Sequence, residues 1–316
     1  MRGVGVIEFG GPEALQVVDL PETHPGPGEV RLRVHAATVN PTDTFIRGGA
    51  RADALRESSP PPYIPGMDAA GVIDEVGPDT DTDLQVGDPV MAMVIPRGSH
   101  GAYRESIVLK ADAVTRAPAG ATHAEASTLP MNALTARQSL DQMGLQPGQT
   151  LAVTGAAGCY GGYMVELGKA DGLTIIADAS EKDVQLVKDL GADIVVPRGD
   201  DIADQIRQVA PDGVDGLADG AVQNELALGA IRDGGHYASV RGWPGPDGGQ
   251  RGINFHVTMV FTYDRRADLL DTLRQQVEDG QVTLRVNSTY PAEQAAETHR
   301  LFKQGGHRGR FVITFD

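Results

Sequence analysis

The first 120 residues carry short runs in which apolar and polar positions alternate. Residues 30–36, Val-Arg-Leu-Arg-Val-His-Ala, show the alternation expected of a strand with one buried face. Short apolar runs at 70–76, 89–94 and 103–109 predict further strands, which turn signals such as Val76-Gly77-Pro78 separate. This spacing predicts a compact barrel-like or sandwich domain over residues 1–120.

From about residue 121, short apolar runs alternate with stretches of helical spacing. Strands are predicted at 150–154, 173–177, 193–196, 214–218 and 236–240, with helices between them that include 181–190 and 202–210. Repeated strand–helix units indicate an α/β domain over residues 121–262, with a parallel sheet and helices on both faces. Residues 263–316 predict helix 265–279, strand 282–287, helix 292–303 and strand 310–315.

Charge and cysteine usage narrow the possible partners. The 316 residues include 43 acidic and 27 basic side chains, so the net charge of −16 repels phosphate backbones and argues against nucleic-acid binding. The chain lacks an apolar run near the roughly 20 residues that a membrane helix needs. Glu8 stands where a signal peptide would need an apolar segment. Cys159 is the single cysteine, which excludes an intrachain disulfide. We therefore expect a cytoplasmic protein with no membrane partner.

The most informative motif is a glycine-rich turn after the strand 150–154. Gly155, Gly158 and Gly161 form a GxxGxxG pattern between this strand and a helix. Such a turn brings the backbone close to a pyrophosphate, and the helix N-terminus offers N–H groups and about half a positive charge. Its place within a series of strand–helix units favours dinucleotide binding over a plain turn.

The end of the following strand bears on the choice between NAD and NADP. An acid about 20 positions beyond the first glycines would bind the ribose hydroxyls and repel a 2′-phosphate. Asp178 is one candidate for this position, whereas Ala179 would leave Ser180 and Lys182 available for a phosphate. Neighbouring strand residues face opposite ways, so a register shift of one residue separates the alternatives. Spacing alone leaves both open.

Several short motifs occur in an order that resembles the medium-chain dehydrogenase/reductase superfamily, specifically its zinc-free quinone oxidoreductase (zeta-crystallin-like) branch. The resemblance covers almost the whole chain. The matching segments are ATVNPTD at 37–43, PGMDAAG at 65–71, VGDPV at 86–90, GAY at 101–103, LPMNALTA at 129–136, the glycine turn, DLGAD at 189–193 and GRFVITF at 309–315.

This resemblance implies the domain arrangement. It predicts a GroES-like β-barrel domain over 1–120, a Rossmann doubly wound parallel sheet over 121–262, and a return to the first domain over 263–316, with the active site between the domains. Family members commonly dimerise through the edge of the Rossmann sheet. The apolar run Phe255–Phe261 would form that edge in a homodimer, and an ordinary core strand is the alternative.

The resemblance also bears on metals. Zinc-dependent relatives carry a cysteine near the position of Asn40 and a His-Glu pair at the positions of Met67 and Asp68. A catalytic zinc needs three protein ligands. The chain has no cysteine there, and no two of its eight histidines lie three or four residues apart. We therefore expect no metal site and no zinc.

Site roles follow from the resemblance residue by residue. Asn40 and Thr135 would lie near the nicotinamide and the substrate carbonyl, Ala221 near a ribose, Val240 in the nicotinamide cleft, and Arg310 against a cofactor phosphate. Ala179 stands where NAD-using relatives have an acid, which favours NADPH over NADH. The implied cofactor-binding residues are Asn40, Thr135, Gly155, Ala156, Ala157, Gly158, Cys159, Tyr160, Ala179, Ser180, Lys182, Ala221, Val240 and Arg310.

The expected reaction is hydride transfer from NADPH to a quinone, or to the β-carbon of another small conjugated carbonyl compound. Asn40 is the candidate donor to the developing oxyanion, or else a loop residue that satisfies its own backbone. Tyr63 is the candidate proton donor, or else a packing tyrosine, and water is another proton source. Asp43 is expected to be a cap or turn residue.

Departures from the family pattern leave other functions open. Cys159 and Tyr160 stand where relatives usually have Gly and Val, and Phe45 stands where some have tyrosine. Cys159 is either an oxidisable thiol or a small buried residue. One alternative is an enoyl-thioester reductase, with Arg47 and Arg51 as a basic rim for a carrier phosphate. Another is a non-catalytic NADPH-binding protein, either a sensor or a crystallin-like structural protein.

Overall fold

The structure is a computed structural model that describes residues 1–50 and 52–315. The strands are β1 (Arg2–Val6), β2 (Leu15–Asp19), β3 (Glu29–Thr38), β4 (Asp68–Val76), β5 (Pro89–Met93), β6 (Ser106–Lys110), β7 (Val114–Arg116), β8 (Thr150–Thr154), β9 (Thr174–Ala179), β10 (Ile194–Pro197), β11 (Val214–Asp219), β12 (Ile231–Ser239), β13 (Asn254–Val257), β14 (Val286–Pro291) and β15 (Arg310–Thr314). The α-helices are α1 (Pro41–Gly48), α2 (Ala52–Ser58), α3 (His123–Ala126), α4 (Pro130–Met143), α5 (Cys159–Ala170), α6 (Val184–Asp189), α7 (Ile202–Val209), α8 (Glu225–Leu228), α9 (Ala267–Glu278) and α10 (Ala295–Gln304). Short 3-10 helices lie at Pro12–Ala14, Ala111–Ala113, Glu181–Asp183, Val260–Tyr263 and Ala292–Gln294.

The chain forms two compact units. Unit 1 comprises Met1–Met131, Phe261–Glu278 and Leu284–Asp316, and unit 2 comprises Asn132–Val260 and Asp279–Thr283. The boundaries predicted from the sequence, 1–120, 121–262 and 263–316, stay a prediction.

Unit 1 is built on a mostly antiparallel sheet of order β14-β15-β3-β4-β5-β7, with β6 also paired to β3. The predicted alternation in β3 is confirmed, because Val30, Leu32 and Val34 are buried whereas Arg31, Arg33 and His35 face outward. The inward side chains join a core that includes Ile73, Val90, Ile107 and Phe311. β3 is therefore the strand against which this unit is assembled.

The C-terminal segment returns to the sheet of unit 1. β15 pairs antiparallel with β3 and parallel with β14. The strand predicted at 282–287 is wrong in its bounds, since β14 covers Val286–Pro291. The reason is that hydrogen bonding to Arg310–Thr314 sets the ends of β14, and local alternation does not carry that information.

Unit 2 contains the predicted doubly wound parallel sheet, with strand order β10-β9-β8-β11-β12-β13. Every adjacent pair in it is parallel. The order reverses between β8 and β11, which places a crevice at their carboxyl ends. The apolar run 255–261 is part edge strand, Asn254–Val257, and part 3-10 helix, Val260–Tyr263.

Helices α3 and α4 were not predicted from the sequence. The mostly buried α4 has no clear apolar stripe from which periodicity could find it. In the described part of the chain, each helix is either too short or too polar to cross a lipid bilayer.

Candidate functional site

Asn40 and Asp43 define the start of α1 in unit 1. Asn40 precedes the first helical residue, Pro41, and its backbone N–H donates to Asp43 Oδ2 at 2.8 Å. A carboxylate at the third helical position thus accepts a hydrogen bond from the backbone N–H of the residue before the helix, as in a capping box. The prediction that Asp43 is a cap residue is confirmed.

The Asp43 carboxyl group also joins other parts of unit 1. Oδ1 accepts the Gly66 N–H at 2.9 Å, and the Tyr103 hydroxyl donates to Oδ2 at 3.0 Å. The same hydroxyl lies 3.2 Å from Nε2 of His299 in α10. Burial raises the pKa of Asp43 to about 7 and lowers the pKa of His299 to about 3. We call Asn40, Asp43, Asp68, Tyr103 and His299 the unit 1 network.

The side chain of Asn40 is directed at a second buried acid. Its Nδ2 donates to Asp68 Oδ2 at 2.7 Å and to the Thr38 carbonyl at 3.2 Å, while Asp68 Oδ1 accepts the Met131 N–H at 2.6 Å. Burial raises the pKa of Asp68 to about 6, against the opposing effects of the Asn40 bond and the Arg310 charge. Asn40 is fully buried, so both of its amide hydrogens are engaged within unit 1. Its role as a donor to substrate stays a prediction.

Tyr63 lies in unit 1 beside the first strand. Its backbone N–H and carbonyl pair with those of Val6, both at 2.9 Å, and its ring stacks on Phe9 with centroids 4.9 Å apart. Only 3% of Tyr63 is exposed. This environment is that of a well-packed tyrosine, and its role as a proton donor stays a prediction.

Arg310, the first residue of β15, is a buried cation with unused donors. Its Nε and Nη2 are buried and have no hydrogen-bond partner among the described residues. A buried guanidinium loses its hydration, and such a group normally finds replacement acceptors. The two nitrogens therefore fit the predicted role of Arg310 as a ligand for an anionic phosphate.

Arg47, a candidate for the basic rim that an enoyl-thioester reductase would need, is partly exposed in α1. Its Nε and Nη1 are buried, and burial lowers the pKa of its guanidinium. The N-terminal segment covers this end of α1, since the Gly10 N–H donates to the Arg47 carbonyl at 3.1 Å. The role of Arg47 in a basic rim stays a prediction, and Arg51 lies outside the described residues.

In unit 2 the glycine turn connects β8 to α5 with very close backbone approaches. Gly155 has φ of +68°, and a Cβ there would lie 2.8 Å from the carbonyl carbon of Gly220. A Cβ on Gly161 would lie 2.3 Å from the Gly155 carbonyl oxygen. Only glycine fits these positions, as a tight turn followed by a closely packed helix requires.

Asp178, near the end of β9, turns its carboxylate toward this turn. Oδ1 accepts the Ala156 N–H at 3.2 Å, and Oδ2 accepts Arg198 Nε at 2.9 Å. The Asp178 side chain is 1% exposed and that of Arg198 is 37% exposed. Asp178 is therefore engaged by the turn and by a cation on its own sheet edge.

Arg198 is a site residue that the sequence analysis missed. It directly follows β10, and its N–H donates to the Ala179 carbonyl at 3.0 Å. Nε and Nη2 both bond to Asp178, which leaves Nη1 without a partner among the described residues. Its position after a predicted parallel strand was a usable signal, because the carboxyl ends of such strands meet at one edge.

Three predicted phosphate-site residues follow β9. Ala179 is buried, the Ser180 hydroxyl donates to Asp183, and Lys182 is exposed in the 3-10 helix Glu181–Asp183. Their roles toward the cofactor stay predictions.

Tyr160 is positioned by its hydroxyl group. The hydroxyl donates to Ser139 Oγ in α4 at 2.9 Å, and Ser139 Oγ lies 2.9 Å from Thr258 Oγ1. A Cβ on Gly220 would lie 3.1 Å from Tyr160 Cδ1, so the ring packs beside this glycine. Burial raises the pKa of Tyr160, which keeps the phenol a donor.

The other predicted residues of unit 2 fall into two places. Ala221 and Val240 follow β11 and β12, so they share the carboxyl edge with the glycine turn and with partly buried Cys159. Thr135 lies inside α4, where its carbonyl accepts the Ser139 hydroxyl at 3.0 Å.

Two family models match the chain. The alcohol dehydrogenase GroES-like domain matches residues 26–119, and the zinc-binding dehydrogenase model matches residues 190–313. Within residues 1–50 and 52–315, no group of three or more His, Cys, Asp or Glu side chains is placed to hold a metal ion. The described residues therefore do not fit a zinc site.

Individual proteins match over the whole length. The chain is 30% identical to a quinone oxidoreductase of Mus musculus, over 99% of this chain and 97% of the relative. It superposes on a solved NAD-dependent alcohol dehydrogenase with 28% identity and a TM-score of 0.86, and on a mycobacterial protein solved in complex with NADPH with 25% identity and a TM-score of 0.84. Both superpositions cover 100% of each chain. The chain belongs to the medium-chain dehydrogenase/reductase superfamily of oxidoreductases, in its quinone oxidoreductase branch.

Proposed function

We propose that this protein is an NADPH-dependent oxidoreductase that transfers hydride to quinones or α,β-unsaturated carbonyl compounds without zinc. The observation that carries the proposal is the glycine turn beside the reversal of strand order between β8 and β11, where doubly wound sheets bind dinucleotides. The mouse relative is named for quinone reduction, which supports a quinone or a similar conjugated acceptor.

The choice of NADPH rests on cations of this chain. Arg198 engages Asp178 and keeps Nη1 available at the edge next to Ala179, and Lys182 is exposed nearby in sequence. A 2′-phosphate would gain charge-assisted bonds from such cations, whereas a lone acid would repel it. One solved relative is named NAD-dependent and another is complexed with NADPH, so NADH is the alternative.

Bound NADPH would supply the hydride from C4 of its nicotinamide. The protein's own part is to bind and orient the reactants. The backbone of residues 155–158 would hold the diphosphate, as helix N-termini that follow glycine turns do. Arg310 would donate to a cofactor phosphate through Nε and Nη2, its two unpartnered nitrogens.

Asn40 and Tyr63 are proposed to act at the substrate oxygen. The Asn40 bond to the Thr38 carbonyl, at 3.2 Å, is longer than its bond to Asp68, at 2.7 Å. Asn40 would exchange this weaker bond for one to the oxyanion, while Asp68 holds the other amide hydrogen. Tyr63 would protonate the product. A conjugated acceptor needs little Lewis-acid assistance, so the proposed reaction does not require zinc.

The test follows absorbance at 340 nm with NADPH or NADH and a panel of quinones, enals, enones and enoyl thioesters. We expect consumption of NADPH with quinones or enones, slower use of NADH, and no loss of rate after treatment with a zinc chelator. Binding of NADPH without turnover across the panel would instead support a cofactor-binding protein. Preferential turnover of enoyl thioesters would support an enoyl-thioester reductase.

The proton-donor assignment has its own test. Tyr63→Phe is expected to lower kcat severalfold and leave the KM for NADPH unchanged, because the ring and its stacking on Phe9 are retained. Unchanged kcat would assign protonation to water.

We propose that the protein is a homodimer joined at β13. This strand is the edge of the unit 2 sheet within the described residues, so its outer backbone groups can pair with a second copy. Light scattering is expected to give twice the 33.3 kDa mass of the chain. The Thr258 N–H donates to the Ser239 carbonyl of β12, so the N–H of the preceding residue, Val257, faces outward, and Val257→Pro, which removes that donor, is expected to yield monomer.

A further inference from the structure

A buried carboxylate that has no part in the proposed reaction lies at the carboxyl end of β11. Asp219 is 2% exposed and accepts four hydrogen bonds. Two come from buried side chains of neighbouring strands: the Thr154 hydroxyl donates to Oδ1 at 2.5 Å, and the Tyr237 hydroxyl donates to Oδ2. Bonds of this kind in a dry interior are strong and orient the acceptor.

The other two donors belong to the loop that follows β11. We call residues 220–224 the 220 loop. The Ala221 N–H donates to Asp219 Oδ1 at 3.2 Å, and the Asn224 N–H donates to Oδ2 at 2.9 Å. One carboxylate therefore holds the loop near both of its ends.

The 220 loop also packs backbone to backbone on the glycine turn. The Gly220 N–H donates to the Thr154 carbonyl at 3.1 Å, and a Cβ on Gly220 would lie only 2.8 Å from that oxygen. A Cβ on Gly155 would meet Ala221 N at 3.0 Å. No side chain fits between the two loops at these points, so movement of one loop displaces the other.

The loop is strained at residues other than glycine. Val222 has φ of +59° and Asn224 has φ of +50°. A β-branched residue in the left-handed region is an outlier, and such strain persists where the surrounding structure imposes it. Val222 is 45% exposed, so burial of its side chain does not explain why this conformation is held. Strained segments of this kind cluster at ligand-binding sites.

Building on the NADPH-binding function above, we propose that Asp219 is a positioning residue. It holds the 220 loop as a preorganised wall of the dinucleotide site, with Val222 as its rigid tip. Because the loop is ordered before the cofactor arrives, binding does not carry the entropic cost of ordering it. The surrounding structure that keeps the loop rigid also holds Val222 in its strained conformation.

Val222→Gly separates this role from a purely structural one. Glycine adopts positive φ without strain, so Tm is expected to stay constant or rise, whereas the freer loop should weaken NADPH binding severalfold. Asp79→Gly is the matched control, because Asp79 also has positive φ, 49°, in an exposed turn of unit 1. We expect that variant to bind NADPH with unchanged Kd.

Two further variants act on the carboxylate itself. Asp219→Asn should raise the Kd for NADPH about tenfold or more and also lower Tm. The new amide N–H groups would face the hydroxyl and backbone N–H groups that donate to the carboxylate, so some of these bonds would be lost. Tyr237→Phe removes a single bond to Asp219 and should raise Kd less. Fluorescence titration with NADPH gives Kd in each case, and calorimetry gives Tm.

The binding measurements test the NADPH-binding function and the role of the 220 loop separately. If the unaltered protein fails to bind NADPH, the proposed function is overturned and this inference with it. If the unaltered protein binds NADPH and the folded Val222→Gly variant binds it equally well, only the role of the 220 loop is overturned. Weaker binding by Val222→Gly at unchanged or higher Tm, with normal binding by Asp79→Gly, supports the loop as a preorganised wall.

Discussion

Asp43 of unit 1 and Asp178 of unit 2 are buried acids that are satisfied in different ways. In unit 1, Asp43 accepts bonds only from the neutral donors Asn40 N–H, Gly66 N–H and Tyr103 hydroxyl. In unit 2, Asp178 meets Arg198, a cation that reaches solvent. Burial raises the pKa of Asp43 despite these donors and makes this acid sensitive to pH, whereas Arg198, paired with Asp178 at an open edge, remains available to a ligand.

The largest expected effect concerns pH and Asp43. Its pKa is raised from 3.8 to about 7 in the folded protein, so the folded state retains a proton that the unfolded chain has lost above pH 4. The associated stability is present below pH 4 and is lost as the pH rises to about 7. Relative to Asp43→Asn, the free energy of unfolding should fall by about 2–3 kcal/mol from pH 5 to pH 8.

Chemical denaturation of both proteins across this range measures that difference. The folded protein also lowers the pKa of histidines such as His299, which acts in the opposite direction, but this contribution cancels between wild type and variant. Asp53→Asn, at a 96% exposed side chain, is the control for removal of one carboxylate. If the free energy of unfolding changes with pH in the same way for wild type and Asp43→Asn, the raised pKa of Asp43 is contradicted.

Arg310 of unit 1 is a buried cation with two donors that have no partner among the described residues. Arg310→Leu should weaken NADPH binding by about 10–100-fold, corresponding to the loss of charge-assisted bonds worth about 1.5–3 kcal/mol. Tm should not fall, since the change removes buried nitrogens that have no partner. Arg300→Ala, at an exposed arginine paired only with Glu297, is the control for isothermal titration. Equal affinities would remove Arg310 from the cofactor site.

Arg198 tests whether the cation of unit 2 reads the 2′-phosphate. Arg198→Gln can still donate to Asp178 but carries no charge, so NADPH affinity should fall about tenfold, or about 1.4 kcal/mol, while NADH affinity changes little. The ratio of the two Kd values is the measurement, with Lys188→Gln, at an exposed position of α6, as the control. Equal losses for NADPH and NADH would indicate that Arg198 only supports Asp178.

The smallest effect concerns the unusual tyrosine of the glycine turn. Tyr160→Phe removes the bond to Ser139 and should lower the free energy of unfolding by about 1 kcal/mol. Combined with Ser139→Ala in a double-mutant cycle, it should show coupling of about 0.5–1 kcal/mol. Additive losses would mean that the ring alone, packed beside Gly220, accounts for the position of Tyr160.

Local patterns predicted well the features that depend on nearby residues. The alternation at 30–36 predicts β3, and glycine spacing predicts a turn in which Gly155 and Gly161 tolerate no Cβ. Bounds that depend on a distant partner were missed, as with β14, whose ends follow its pairing with β15. Arg198 and Asp219 were missed because their roles arise from contacts with other strands, to Asp178 for Arg198 and to Thr154 and Tyr237 for Asp219.

Sequence alone thus determined the class of the fold and the glycine turn, because side-chain periodicity and backbone freedom at glycine are local properties. The family was indicated by the order of several short motifs that resemble it. The tertiary structure was needed to show that Asp178 turns toward Ala156 and Arg198, that both amide hydrogens of Asn40 are engaged, and that Arg310 has unused donors. Such facts depend on burial and on the direction of each hydrogen bond, and both are set only when separate strands and helices pack together.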